Sequence, residues 1–229
     1  MNRNQTEAHP KSVTADNTSS LSARVFEELE DGILSGQIPS GENLIELKLS
    51  SEMGVSRTPV REAIRMLEQK GLVQIIPNKG AVVLGISEKD LKDIYTIRMY
   101  IEGLASRWAA ENISEEQAQE LTEIVDLQEF YNVKQANGKI NDLDSRFHEK
   151  IYEISGSRTL QHTLGDLHHM IQRYRKLSFS AAGRAEKAIQ EHREILDAIC
   201  RHDGEQAERL TIQHIAKARE NLLYLIKEQ

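Results

Sequence analysis

Strand-forming sequence occurs at one place in this chain. Leu72-Val73-Gln74-Ile75-Ile76 and Ala81-Val82-Val83-Leu84 are two runs rich in β-branched residues, separated by Pro77-Asn78-Lys79-Gly80. Two such runs around a Pro/Asn/Gly turn predict a hairpin. Three helical stretches precede it. Leu21, Val25, Leu29, Ile33 and Leu34 recur at helical spacing, and Gly36, Pro39 and Gly41 end that stretch. A short helix follows over about 45–53, then a tight turn at Gly54-Val55-Ser56. A third helix covers about 57–70, with Ser56 suited to its N-cap, Pro59 tolerated in its first turn and Gly71 placed to end it. Helix-turn-helix followed by a hairpin defines a winged helix over residues 21–85.

After Gly85 no strand signal returns. Ser87 caps a helix reaching about Ala110, and further helices are predicted at about 114–136, 140–155, 158–179, 184–202 and 205–227. The expected fold is therefore mainly α: an N-terminal winged helix-turn-helix plus a C-terminal all-α six-helix bundle over 86–229. The 229 residues are enough for two small cores. Residues 1–20 are polar, without the apolar stretch of a signal peptide, and read as a disordered tail. No apolar run approaches the roughly 20 residues of a membrane span. One cysteine, Cys200, cannot form an internal disulfide, which points to a reducing cytoplasm and a small buried hydrophobe.

The net charge of −7 by itself argues against a nucleic-acid partner. Its distribution argues the reverse. Between Val55 and Gly85 stand Arg57, Arg61, Arg65, Lys70 and Lys79 against only Glu62 and Glu68, a local balance of +3. In the third helix Val60, Ala63, Ile64 and Leu67 form an apolar stripe, and the three arginines, four residues apart, form a second beside it. Arginine can bond phosphate or take guanine through two hydrogen bonds. Ser56 and Thr58 add hydroxyls at the helix N-terminus, where backbone N–H groups favour phosphate. An arginine stripe on a helix is ordinarily only a solvated face. Here it follows a helix-turn-helix turn and precedes a wing, which favours double-stranded DNA.

The helical half concentrates histidine. Asp144 and His148 stand four apart on one helix face, the spacing that lets two side chains hold one ion. His192 and His214 lie on the last two helices, which the break at Gly204 lets run antiparallel. His162, His168 and His169 are alternative ligands. The plainer reading of any helical histidine is a surface or satisfied core residue. One carboxylate and three imidazoles would suit zinc, nickel, manganese or iron.

The run Gly54-Val55-Ser56-Arg57-Thr58-Pro59-Val60-Arg61-Glu62-Ala63 resembles the recognition-helix signature of the GntR family of bacterial transcription regulators. Ile38-Pro39-Ser40-Gly41-Glu42 before it fits the same template, as do Leu67 to Val73 and Pro77 to Gly80 after it. The resemblance implies DNA contacts at Arg57, Thr58 and Arg61, and a wing tip, Asn78-Lys79-Gly80, entering the minor groove. With Ser56 and Arg65, these make the expected DNA-binding set: Ser56, Arg57, Thr58, Arg61, Arg65, Lys79 and Gly80. One departure stands out. Some members carry an operator-reading arginine at the start of the second helix, where this chain has Leu47 between Glu46 and Lys48.

The segments 142–148, 191–199 and 207–214 resemble the C-terminal domain of the FadR subgroup, called FCD, in its shorter VanR-like branch. That resemblance implies one divalent metal ion per chain on Asp144, His148, His192 and His214. It also implies a small carboxylate effector nearby, with Arg98 lining the pocket. The plainer reading of Arg98 is a surface ion pair with Glu102. Arg173 and Arg175 are weaker candidates. A homodimer, an operator and repression complete the expectation. The rival readings are a metal-dependent hydrolase, an effector-independent DNA-binding protein and a purely protein-binding module.

Overall fold

The computed structural model describes residues 14–77, 80–179, 181 and 183–227. The chain divides into two compact units, between Gly85 and Ile86. In the first, α1 (Thr14–Ser35) packs on α3 (Arg57–Gln69), with α2 (Glu46–Glu52) completing the helical layer. Val25, Leu29 and Ile33 from α1 and Val60, Ala63, Ile64 and Leu67 from α3 are buried. Helix α3 stops where Gly71 enters the left-handed region at φ +72°. There the Gly71 N–H donates to Glu68 O and the Leu72 N–H to Leu67 O, a Schellman ending that turns the chain into the sheet.

The sheet has three strands rather than the two of a hairpin: β1 (Asn43–Leu44), β2 (Val73–Ile76) and β3 (Gly80–Val83), in the order β1-β3-β2 and antiparallel. Asn43 pairs with Val82 and Leu44 with Ala81. Two residues are too few for a period-2 pattern, so β1 carries no sequence signal. The wing-tip residues Asn78 and Lys79, expected to enter the minor groove, lie outside the described residues.

Helix α1 also begins earlier than expected. Residues 14–20, read as part of a disordered tail, are helical. The extension bears no large apolar side chain, so no periodicity announces it. Residues 1–13 lie outside the described residues.

The second unit contains α4 (Glu88–Asn112), α5 (Glu115–Val133), α6 (Asn137–Ile154), α7 (Arg158–Met170), α8 (Gln172–Phe179), α9 (Arg184–Cys200) and α10 (Gly204–Lys227). Capping boxes start α4 and α5. Ser87 accepts from the Asp90 N–H while the Asp90 carboxylate accepts from the Ser87 N–H, and Ser114 and Gln117 do the same. The long helices α4 and α10 pack along each other. Their approach is close at Gly103, where an added Cβ would come within 2.9 Å of Ile212 Cγ1.

Seven helices among the described residues replace the six expected, because the single helix predicted over 158–179 breaks at Ile171 (φ −103°, ψ 8°). No Gly or Pro marks the break. Tertiary packing makes it: Ile171 is fully buried against a core of Leu91, Ile94, Tyr95, Ile215 and Leu222. Beyond it, the Tyr174 hydroxyl donates to Ile86 O at 2.9 Å. Cys200, expected to be buried, is exposed. It is the last residue of α9 and lies off the packed face, which Ala198 and Ile199 occupy.

Candidate nucleic-acid interface and metal centre

Helix α3 divides its residues cleanly. Pro59, Val60, Ala63, Ile64 and Leu67 are buried, while Ser56, Arg57, Thr58, Arg61 and Arg65 face solvent. Ser56 takes the N-cap backbone position, but its hydroxyl makes no capping bond, contrary to its reading as a side-chain cap. Extended backbone alone begins the helix, which leaves that hydroxyl uncommitted. Gly80 opens β3 at φ +90° and lines a groove of about 590 Å³ shared with the arginine face.

The arginines have a partner that the sequence did not announce. Arg57 Nη2 donates to Glu46 Oε2 at 2.9 Å, and Arg61 donates through Nε to Oε1 and Nη2 to Oε2, each at 2.9 Å. Arg65 pairs with Glu62 on its own helix at 3.1 Å. The Arg61 hydrogen bonds, with help from Arg57 and against partial burial, hold the Glu46 carboxyl down at about 2. Opposite charges 11 and 15 residues apart follow no local spacing rule. Glu46 therefore emerges only when α2 is set beside α3.

In the helical unit one ligand atom from each of Asp144, His148, His192 and His214 lies within 4.8 Å of the others, and all four residues are buried. Helix α6 supplies the first two, α9 the third and α10 the fourth. Two of the imidazoles are hydrogen-bonded through their other nitrogen, and the third has a carboxylate beside it. His192 Nδ1 donates to Gln128 Oε1 at 2.9 Å, His214 Nδ1 donates to Glu191 Oε2 at 2.7 Å, and His148 Nδ1 lies 3.0 Å from Glu102 Oε2. The Gln128 and Glu191 acceptors fix the tautomers of His192 and His214, so their Nε2 lone pairs turn inward. His192 Nε2 is buried with no hydrogen-bond partner, 3.4 Å from Asp144 Oδ1. An orphaned, inward-facing imidazole nitrogen beside a buried carboxylate is what a cation site presents, so the donor set fits a divalent ion.

His168 does not join the four. Its Nε2 meets the Arg175 guanidinium, which also reaches the Asp144 carboxylate. His162 is exposed, and His169 is only half-buried. Arg98 is not on the surface: it is 2% exposed and bonded through Nε to Glu102 at 2.6 Å. Burial alone would raise the Glu102 carboxyl. The Arg98 guanidinium beside it overrides burial and keeps the group ionised. Arg98, Arg175, Asp144, His148 and His214 line a cavity of about 20 Å³, room for one ion or water, so a larger ligand enters only where this lining moves apart. The side chain of Arg173 is outside what the structure describes.

Burial pushes His168 and His192 well below the usual imidazole value and His214 down to about 4. All three rings are therefore unprotonated at neutral pH. The unfolded chain takes up a proton on each near 6.5, which the native chain refuses. The stability this provides is complete above about pH 6.5 and is lost as pH falls toward 4. Metal-free protein is accordingly expected to melt at progressively lower temperature from pH 7 to pH 5. The limiting slope is about 1.4 kcal/mol per pH unit for each histidine. A flat melting profile across that interval would show that these histidines are charged in the fold.

A winged helix with an exposed arginine face, joined in one chain to a helical unit with a buried histidine–carboxylate centre, defines a two-domain DNA-binding regulator. Comparison with known proteins agrees. Residues 21–83 match the bacterial regulatory proteins of the gntR family and residues 93–217 match the FCD domain. The Escherichia coli (strain K12) HTH-type transcriptional repressor RspR is 29% identical over 92% of this chain and 92% of its own. The gluconate operon transcriptional repressor of Bacillus licheniformis is 32% identical over 63% of this chain and 57% of its own. Among solved structures, E. coli McbR/YncC shares the fold, with a TM-score of 0.69 and 23% identity over 91% of this chain and 98% of that one. The chain belongs to the GntR family of transcription regulators, in the FadR-like subgroup that carries an FCD domain. Its relatives are regulators and not enzymes, so the hydrolase reading is dropped. No helix among the described residues is long and apolar enough to cross a membrane.

Proposed function

We propose that this chain is a cytoplasmic, homodimeric transcriptional repressor whose hold on a near-palindromic operator is set by a small carboxylate bound beside one divalent ion. The observation that carries this reading is the convergence of three buried imidazoles and Asp144, with Arg98 and Arg175 on the same small cavity. Asp144, His148, His192 and His214 would hold the ion, which supplies a Lewis-acidic centre for a carboxylate oxygen. Zinc, nickel, manganese and iron all accept such donors. Arg98, fixed by Glu102 and resting against the Tyr95 ring, presents a charged guanidinium toward that space. Arg175 already binds one carboxylate, that of Asp144, and so has the chemistry to accept another. The relative named for a gluconate operon is consistent with this class of effector, since gluconate is a carboxylate.

Dimerisation is supported by apolar side chains left in water. Ile97 and Tyr100 on α4 and Leu127, Phe130 and Val133 on α5 are exposed. Two copies would present two recognition helices to half-sites about one helical turn apart. The effector acts only through its preference for one arrangement of the dimer over the other.

The test is operator affinity of metal-loaded, full-length protein across a panel of mono- and dicarboxylic acids. At least one acid is expected to shift affinity by about 5- to 150-fold, the usual range of allosteric coupling. If every acid leaves affinity unchanged, control by this class of ligand is wrong, and effector-independent DNA binding becomes the better account.

A further inference from the structure

The groove beside the arginine face is not wholly polar. Leu47, in the first turn of α2, is 68% exposed, the most exposed large apolar side chain of its unit among the described residues. A lone exposed leucine is ordinary. Leu47, however, lines one groove with Ile45, Ile75, Arg57, Arg61 and Arg65. Its neighbour Glu46 grips both Arg57 and Arg61 at 2.9 Å, which ties the first turn of α2 to the guanidinium groups of α3. Whatever those guanidinium groups meet, Leu47 is placed to meet as well.

We propose that Leu47 reads a thymine, packing on its C5-methyl group in the major groove beside the bases and phosphates that Arg57 and Arg61 contact. Charge selects the occupant: three exposed arginines call for a polyanion, and the family binds DNA. Chemistry then selects the base. Leucine has no donor or acceptor, and the only apolar feature on any base edge in the major groove is the thymine methyl. Glu46 is the positioning residue in this arrangement. It holds the two guanidinium groups on either side of its carboxylate while the adjacent leucine reaches the base edge. The inference rests on the α3 face binding duplex DNA.

The experiment uses full-length protein and a duplex selected by that protein from a random pool, with each thymine replaced in turn by deoxyuridine. That exchange removes one methyl group and keeps every hydrogen bond. For the unaltered protein, one thymine in each half-site is expected to be sensitive, with affinity falling about fourfold, the equivalent of one buried methyl. Leu47→Ala loses a similar factor on thymine DNA and no longer distinguishes thymine from deoxyuridine there. Arg57→Ala binds every duplex more weakly yet keeps the discrimination. The proposal is overturned if Leu47→Ala retains the full methyl sensitivity, if Ile45→Ala abolishes it instead, or if no thymine is sensitive at all. Failure of the unaltered protein to enrich any duplex would reject DNA binding by the α3 face, a different result from the loss of methyl reading alone.

Discussion

Replacing Arg57 and Arg61 together by alanine is expected to weaken operator binding by about 100-fold or more. Each arginine that meets a phosphate or a base edge contributes about 1–3 kcal/mol, and both are exposed on one face of α3. The loss has a second source. Glu46, held at low pKa by these two side chains, would be left facing DNA with its charge uncompensated. Adding Glu46→Gln to the double variant is therefore expected to restore part of the affinity, chiefly the sequence-independent part. Salt titration separates the roles, since each lost phosphate contact reduces the salt slope by about 1. The side chains are solvent-facing, so the melting temperature should barely move. Double-variant affinity within about threefold of the unaltered protein, with melting unchanged, would remove the α3 face from DNA recognition.

The other large effect is metal retention. Elemental analysis after dialysis is expected to find about one ion per chain in the unaltered protein and none in His192→Ala with His214→Ala. Two of four donors are gone in that variant, and Gln128 and Glu191 lose the imidazoles they anchor. An unpaired buried amide or carboxylate costs about 1–3 kcal/mol, so the conservative Gln128→Ala is the companion. It leaves all four donors in place and is expected to weaken the metal by about 10- to 100-fold through a loosened His192 ring. Absence of metal from the unaltered protein, even after zinc or manganese is supplied, would mean that the histidines serve packing. Effector recognition would then rest on Arg98 and its neighbours alone.

Much of this was readable before any coordinates. Helical periodicity located the long helices, the apolar and arginine stripes of α3 separated as their four-residue spacing required, and the four donors lie together. What escaped was set by tertiary contact. The break at Ile171 has no local cause, only a core that draws the side chain in. The Glu46 fork joins residues far apart in sequence. The i,i+4 spacing identified Glu102 as the partner of Arg98, but nothing in it showed that both would be buried and that Glu102 would lie against a donor histidine. Gln128, which anchors His192, continues the buried stripe of Leu121, Ile124 and Val125, but has no charge to mark it as the partner of a donor histidine.

The interior around the four donors is electrically even-handed. Asp144, Glu102 and Glu191 bring three negative charges, and Arg98, Arg175 and Arg184 bring three positive ones, all six buried. Such a lining cancels itself and has nothing left over for a guest of charge +2. Unbalanced charge in a low-dielectric interior is strongly disfavoured. The neutral imidazoles share the ion's charge without reducing it. On the proposed function, electroneutrality would then set the preference for an effector: a dianion is expected to outrank a monoanion of the same size, and a neutral isostere such as the corresponding amide to be refused.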